Sequence, residues 1–182
     1  MLIQHQKHKY MAVKVLFITV NLLKKKSIID GNVDSGKLLQ YIEVAQDTHI
    51  QNYLGGTLYN KLMDLIVSSD IELPENADYK FLLDEYVRDM LIWFTQEAYL
   101  PFSMFQVNNG GVYKHVSENS DLANKDEVEY LIQKTRNYAE FYTKRFLDYM
   151  CNNSVLYKEY SNNKQGEMYP DKDVNFTGGW YV

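Results

Sequence analysis

Cysteine is almost missing from this chain, and its rarity removes two classes of protein at once. The one cysteine, Cys151, cannot close an intramolecular disulfide or build a cysteine-rich zinc site, and it suits a reducing cytoplasm. Long apolar runs are also missing, and the longest fall short of a membrane span. The opening Met-Leu-Ile-Gln-His-Gln-Lys-His lacks the apolar region of a signal peptide. No long basic run appears, and the formal net charge is −5. A dedicated nucleic-acid grip needs clustered Lys and Arg to displace phosphate counterions. Lys7, Lys9, Lys14 and the run Lys24, Lys25, Lys26 are the only concentration here, and they are thin. There is no glycine-rich phosphate loop, no His-Glu-x-x-His and no nucleophile elbow. His5 and His8 stand three apart with no further ligands nearby, so they read as part of a soluble arm. His49 lies beside a helical apolar stripe without an acidic or nucleophilic companion, and reads as a packing residue. Residue chemistry assigns no catalytic group, no cofactor and no metal, and points to a helical interaction module.

What is abundant is tyrosine: 16, against 8 Phe and 2 Trp in 182 residues. A tyrosine ring is apolar with a polar tip, which suits surfaces buried only on assembly. The hydrophobic share of 46% and charged share of 24% are those of an ordinary globular domain, long enough to bury a core.

The chain is organised around residues 34–59. Asp34 or Ser35 caps a helix whose apolar face runs Leu38, Ile42, Ala45, His49 and Tyr53 at three- and four-residue steps. Gly55 and Gly56 stand where a left-handed stop belongs, and Thr57 can cap a second helix burying Leu58, Leu62, Leu65 and Ile66. Leu54, Gly55, Gly56, Leu58 and Tyr59 thus form the corner of an αα-hairpin.

Before this corner, residues 1–12 read as a flexible N-terminal arm. Val13 to Ile18 reads as a short strand, and Thr19 as the cap of a brief helix ending in three lysines. After it, a polar loop broken by Pro74 leads to a third, central helix that starts near Asp78 and ends or kinks at Pro101. Residues 101–117 read as a projecting loop or hairpin, with Asn109, Gly110 and Gly111 in the turn and Val112 and Tyr113 alternating after it. A long fourth helix spans about 124–151, ended by Asn152 and Asn153. Residues 154–182 are polar yet carry Tyr157, Tyr160, Tyr169, Phe176, Trp180 and Tyr181, the composition of an arm that folds onto a partner, with folding back over its own bundle or the neighbouring subunit as the alternative. The expectation is a mainly α chain. Its core is a four-helix-type bundle over 13–153, with a short N-terminal strand, a projecting loop and an extended C-terminal docking arm.

The succession of these features resembles a known family. A Thr19-led short helix precedes Ile42-x-x-Ala45-Gln46-x-x-x-Ile50-x-x-x-Leu54-Gly55-x-x-Leu58-Tyr59. Then come a central helix, the Asn109-Gly110-Gly111-Val112 turn, a long helix and a tail ending Gly-Gly-Trp-Tyr-Val. This order is similar to the head–tail connector (adaptor) proteins of tailed bacteriophages, most of all to portal-proximal ring proteins of crAss-like phages. The resemblance implies a non-enzymatic virion protein at the portal vertex, assembled in the bacterial host cytoplasm. Such adaptors form a homo-oligomeric ring, usually of twelve copies, against the portal protein and further tail or ring proteins. DNA passes through their channel without sequence-specific binding, and no membrane is involved. The resemblance also implies that the tail aromatics dock on the portal or a neighbour, and that the loop 109–113 meets the next ring. The alternative from the residues is a small helical DNA-binding or regulatory protein of a phage or bacterium.

Overall fold

The computed structural model describes residues 15–29, 31–114, 123–162 and 166–173. It is mainly α. Helix α1 (Val20–Lys26) is followed by α2 (Ser35–Ala45), which passes through a π turn (Gln46–Ile50) into α3 (Gln51–Val67). Two 3₁₀ turns, Asp70–Glu72 and Pro74–Asn76, lead to α4 (Ala77–Leu82). A second π turn (Leu83–Val87) joins α4 to α5 (Arg88–Tyr99). The hairpin strands β1 (Phe105–Asn108) and β2 (Gly111–Lys114) come next. The 29-residue α6 (Lys125–Asn153) and a short α7 (Lys158–Ser161) complete the order.

Local chemistry sets several boundaries. The Thr19 hydroxyl accepts from Leu22 N–H and the Asp34 carboxylate from Lys37 N–H, so each satisfies an orphan donor of a first turn. Asn124 and Glu127 exchange side-chain and backbone bonds in a full capping box that starts α6. At the third helix the expected cap differs: Asn76 precedes α4 and Asp78 lies in its first turn. Pro101 sits in a 3₁₀ turn, Leu100–Phe102, that closes α5.

Helix α5 is central and packs against both α2 and α6. It buries Met90, Leu91, Ile92 and Phe94, and also Thr95 and Gln96, whose side chains donate to the carbonyls of Leu91 and Ile92 one turn back. The core gathers around it: Leu38 and Ile42 from α2, Leu54, Leu58 and Leu62 from α3, and Ala139, Phe146 and Met150 from α6.

The expected N-terminal strand is not formed. Val15 to Ile18 lie in irregular backbone, and residues 13 and 14, like the arm 1–12, lie outside the described residues. The reason is that side chains occupy the backbone groups a neighbouring strand would have used. Buried Gln46 accepts from Phe17 N–H through Oε1 (2.8 Å) and donates through Nε2 to Val15 C=O (2.8 Å). Arg88 Nε donates to Phe17 C=O (2.9 Å). Phe17 and Ile18 then bury as core residues, with the Phe17 ring 5.3 Å from that of Tyr59.

A second difference concerns the C-terminal arm. The folded unit does not end at Asn153, because Tyr157 and Tyr160 belong to the core. Tyr157 is wholly buried, edge-on to Tyr79, with its hydroxyl donating to Asp78 C=O (3.0 Å) and 2.9 Å from the Tyr149 hydroxyl. Tyr160 packs edge-on to Phe146.

Candidate interaction surface

The expected corner is at Gly55, whose φ of 72° and ψ of 161° break the helix where α3 kinks. Only glycine adopts that conformation cheaply. A second constraint comes from the other end of the chain. A Cβ on Gly55 would stand 2.7 Å from Pro170 Cδ, and one on Gly56 would stand 2.9 Å from Glu167 Oε2. Residues 166–173 lie across the corner as a strap. Gly56 N–H donates to Met168 C=O (2.7 Å) and Asp171 N–H to Asn52 C=O (2.9 Å). The Thr57 hydroxyl donates to Glu167 (2.9 Å), and the Asn52 amide reaches Asp171 (3.4 Å). Leu54, Leu58 and Tyr59 are buried around the corner, and the Tyr59 hydroxyl accepts from Gln46 Nε2 (2.9 Å). The break leaves backbone groups without helical partners, and the strap supplies some of them.

The six tail aromatics therefore part ways. Tyr157 and Tyr160 are spent in this chain's own core, and Tyr169 on the strap is 70% exposed. Phe176, Trp180 and Tyr181 lie outside the described residues.

The loop residues form a two-stranded antiparallel hairpin in the register Phe105 with Lys114, Gln106 with Tyr113, Val107 with Val112 and Asn108 with Gly111. Asn109 and Gly110 make the two-residue turn between the strands. Phe105, Val112 and Tyr113 are all exposed, as is Phe102 just before the hairpin. Exposed apolar side chains on a two-stranded hairpin are open to a partner.

A further surface escaped the sequence reading. Helix α6 buries Thr135, Ala139, Thr143 and Phe146 toward α5, while Tyr130 (62% exposed) and Phe141 (61%) point the opposite way. Tyr138 lies at the border, stacked on Trp93 at 4.5 Å and still half-exposed. The signal available in the sequence was phase: Tyr130 and Phe141 fall off the apolar stripe that sets the helix. Beside the α6 start, Asn124, Asp126, Glu127, Tyr130 and Leu131 line a shallow surface depression.

The polar chemistry is turned inward. His49 stacks flat on Phe94 with ring centroids 3.9 Å apart, and burial lowers its pKa to about 4. Burial pushes the Tyr53 and Tyr160 phenols up to about 12, with Asp171 nearby adding to both shifts. Tyr79 and Tyr157 are raised further, by burial first and then by their hydrogen bonds to Glu159 and Tyr149. Arg136 Nε donates to Glu97 Oε1 (2.7 Å), leaving Glu97 Oε2 buried without a hydrogen-bond partner among the described residues. Lys24 donates to the carbonyls of Gly31 and Val33, and Lys26 pairs with Asp89 (2.8 Å). Among the described residues no three His, Cys, Asp or Glu side chains gather to hold a metal, and no helix is long and apolar enough to cross a membrane.

Fold and surface together define a small, mainly α unit whose exposed aromatics include Phe105 and Tyr113 on a hairpin and Tyr130 and Phe141 on the outer face of its longest helix. The chain belongs to DUF6712, a family of unknown function, whose profile matches residues 50–169. That span runs from the end of the first π turn through the glycine corner, the hairpin and α6 to the strap. No curated protein and no solved structure matches the chain.

Proposed function

We propose that this chain is a structural virion protein, a head–tail connector (adaptor) subunit that forms a ring beneath a phage portal and continues its DNA channel toward the tail. The observation that carries the reading is the placement of the exposed aromatics. Phe105, Val112 and Tyr113 on the hairpin, and Tyr130 and Phe141 on α6, are large apolar side chains outside the core. A subunit held among neighbours by lateral helix faces and a protruding hairpin needs such contacts. In this reading the hairpin pairs edge to edge with an adjacent protein, and residues beyond the strap reach the portal. The order of sequence features shared with connector proteins supports the same assignment, and twelve copies is the stoichiometry it suggests. A DNA-binding regulator is the weaker reading, since two of the three clustered lysines are engaged within the fold.

The test is reconstruction of the portal vertex of the parent virion without imposed symmetry, with the subunit located by a tag. A ring of copies against the portal is expected. A tagged protein absent from purified particles, or present as a single off-axis copy, overturns the reading.

A further inference from the structure

Helix α6 presents two faces of different chemistry. The buried face is accounted for by α5. The outer face steps through positions 127, 130, 134, 137, 141, 144 and 148 at alternating three- and four-residue intervals, one continuous stripe down the helix. Its two aromatics, Tyr130 and Phe141, lie three turns apart and are more than half exposed. Of its charged positions Glu127 stands at the N-terminal end and Lys144 near the other, with Asp148 one turn beyond; Arg145 is turned inward over the Tyr86 ring. Lys134 leans over the Tyr130 ring at 5.2 Å.

We propose that this face is a homodimer surface on which two copies of α6 pair antiparallel about a twofold axis. The observation that selects a second copy as occupant is the self-complementarity of the charges. With the axis level with Thr135 and Arg136, Tyr130 comes opposite Phe141 of the second copy. Glu127 then faces Lys144, Lys134 faces Asn137 and Asp148 faces Ala123, so no like charges stand opposite each other. Parallel pairing would instead set Glu127 on Glu127 and Lys144 on Lys144. In an isologous contact each interaction occurs twice, so the Glu127–Lys144 pair and the Tyr130–Phe141 pair are each made twice. Large rings bury roughly 150–250 Å² each when fully covered, so these aromatics and the flanking aliphatic stems give a small interface of the weak, reversible kind. Such a contact closes at two copies and cannot itself build a ring. The dimer is therefore a state of the free subunit, and it does not rest on the connector reading.

Sedimentation of the full chain over roughly 1–100 µM, the range where a contact of this size associates, tests the proposal. A monomer–dimer equilibrium is expected. Glu127→Lys alone and Lys144→Glu alone each place like charges together twice, and each is expected to weaken the dimer by about tenfold. The double variant Glu127→Lys/Lys144→Glu restores opposite charges and is expected to recover most of that loss, which a nonspecific surface effect would not do. Phe141→Ser should weaken the dimer while leaving helicity unchanged. A wild-type chain that stays monomeric throughout overturns the proposal. So does a dimer indifferent to Phe141→Ser, or a double variant no better than either single one. None of these outcomes bears on whether the virion contains a ring, so the two readings fail independently.

Discussion

The side-chain amide of Gln46 holds three groups at once: the N–H of Phe17, the C=O of Val15 and the hydroxyl of Tyr59. Replacing it by Leu keeps the volume but strands those partners, each buried polar group then costing about 1–3 kcal/mol. Gln46→Leu is expected to lower the urea midpoint markedly and to detach Phe17 from the core, read as faster hydrogen exchange at its amide. Gly55 and Gly56 differ in what they tolerate. Gly55→Ala meets both a glycine-only backbone conformation and Pro170, whereas Gly56→Ala has no such backbone conformation and meets only the strap, at the Glu167 side chain and the Met168 backbone N. A loss of about 2–4 kcal/mol is expected for the first and clearly less for the second, both from denaturant unfolding. Equal losses would show that the strap, and not the backbone angle, dominates. His49 makes a pH prediction. Its folded pKa, about 4, lies below its ordinary 6.5 because burial disfavours the charged ring. Unfolding therefore takes up a proton between those values, so the stability is fully present above pH 6.5 and is lost as pH falls toward 4, by up to about 3 kcal/mol. His49→Phe should flatten the unfolding free energy over that window relative to wild type. An unchanged slope would mean that carboxylates carry the acid sensitivity.

At the scale of elements, the C-terminal segment and the hairpin behave oppositely. Truncation after Asn153 removes Tyr157 and Tyr160 from the core, and losing a buried large aromatic typically costs about 3–5 kcal/mol. The sum approaches the whole stability of a domain, so the truncated chain is expected to lose its cooperative transition by circular dichroism. Truncation after Asp173 keeps both tyrosines and the strap, and should retain a cooperative transition. Deleting residues 109–111 removes exposed turn and strand residues only. It should shift Tm by less than about 3 °C, under about 1 kcal/mol for a chain of this size. Collapse of the fold on that deletion would place the hairpin in the core. Helix caps and the hairpin turn were legible beforehand, because Thr19, Asp34, Asn124 and Asn109-Gly110 act through neighbours a few residues away. The fate of Val13 to Ile18 was not. Its strand-like pattern was overridden by Gln46, 29 residues from Phe17 in the chain.

For the molecule as a whole, the net charge of −5 and the internal use of Lys24 and Lys26 predict weak contact with nucleic acid. Fluorescence anisotropy with a labelled duplex at about 50 mM salt should show no binding at micromolar protein, because few phosphates can be neutralised. A salt-sensitive rise would favour the regulator reading instead. The amino-acid sequence by itself determined the mainly α character, the starts of α1, α2 and α6, the central position of α5, the Gly55 corner and the Asn109-Gly110 turn. Each follows from periodicity or from hydrogen bonds spanning a few residues. Only the tertiary structure decided what the C-terminal aromatics do and which face of α6 stays bare. Tyrosine suits a buried site and a wet interface equally, since ring and hydroxyl are satisfied in either. Nothing local to Tyr157 separates it from Tyr169. The carbonyl of Asp78, 79 residues away, takes the first into the core, while the second stays on the surface of the strap.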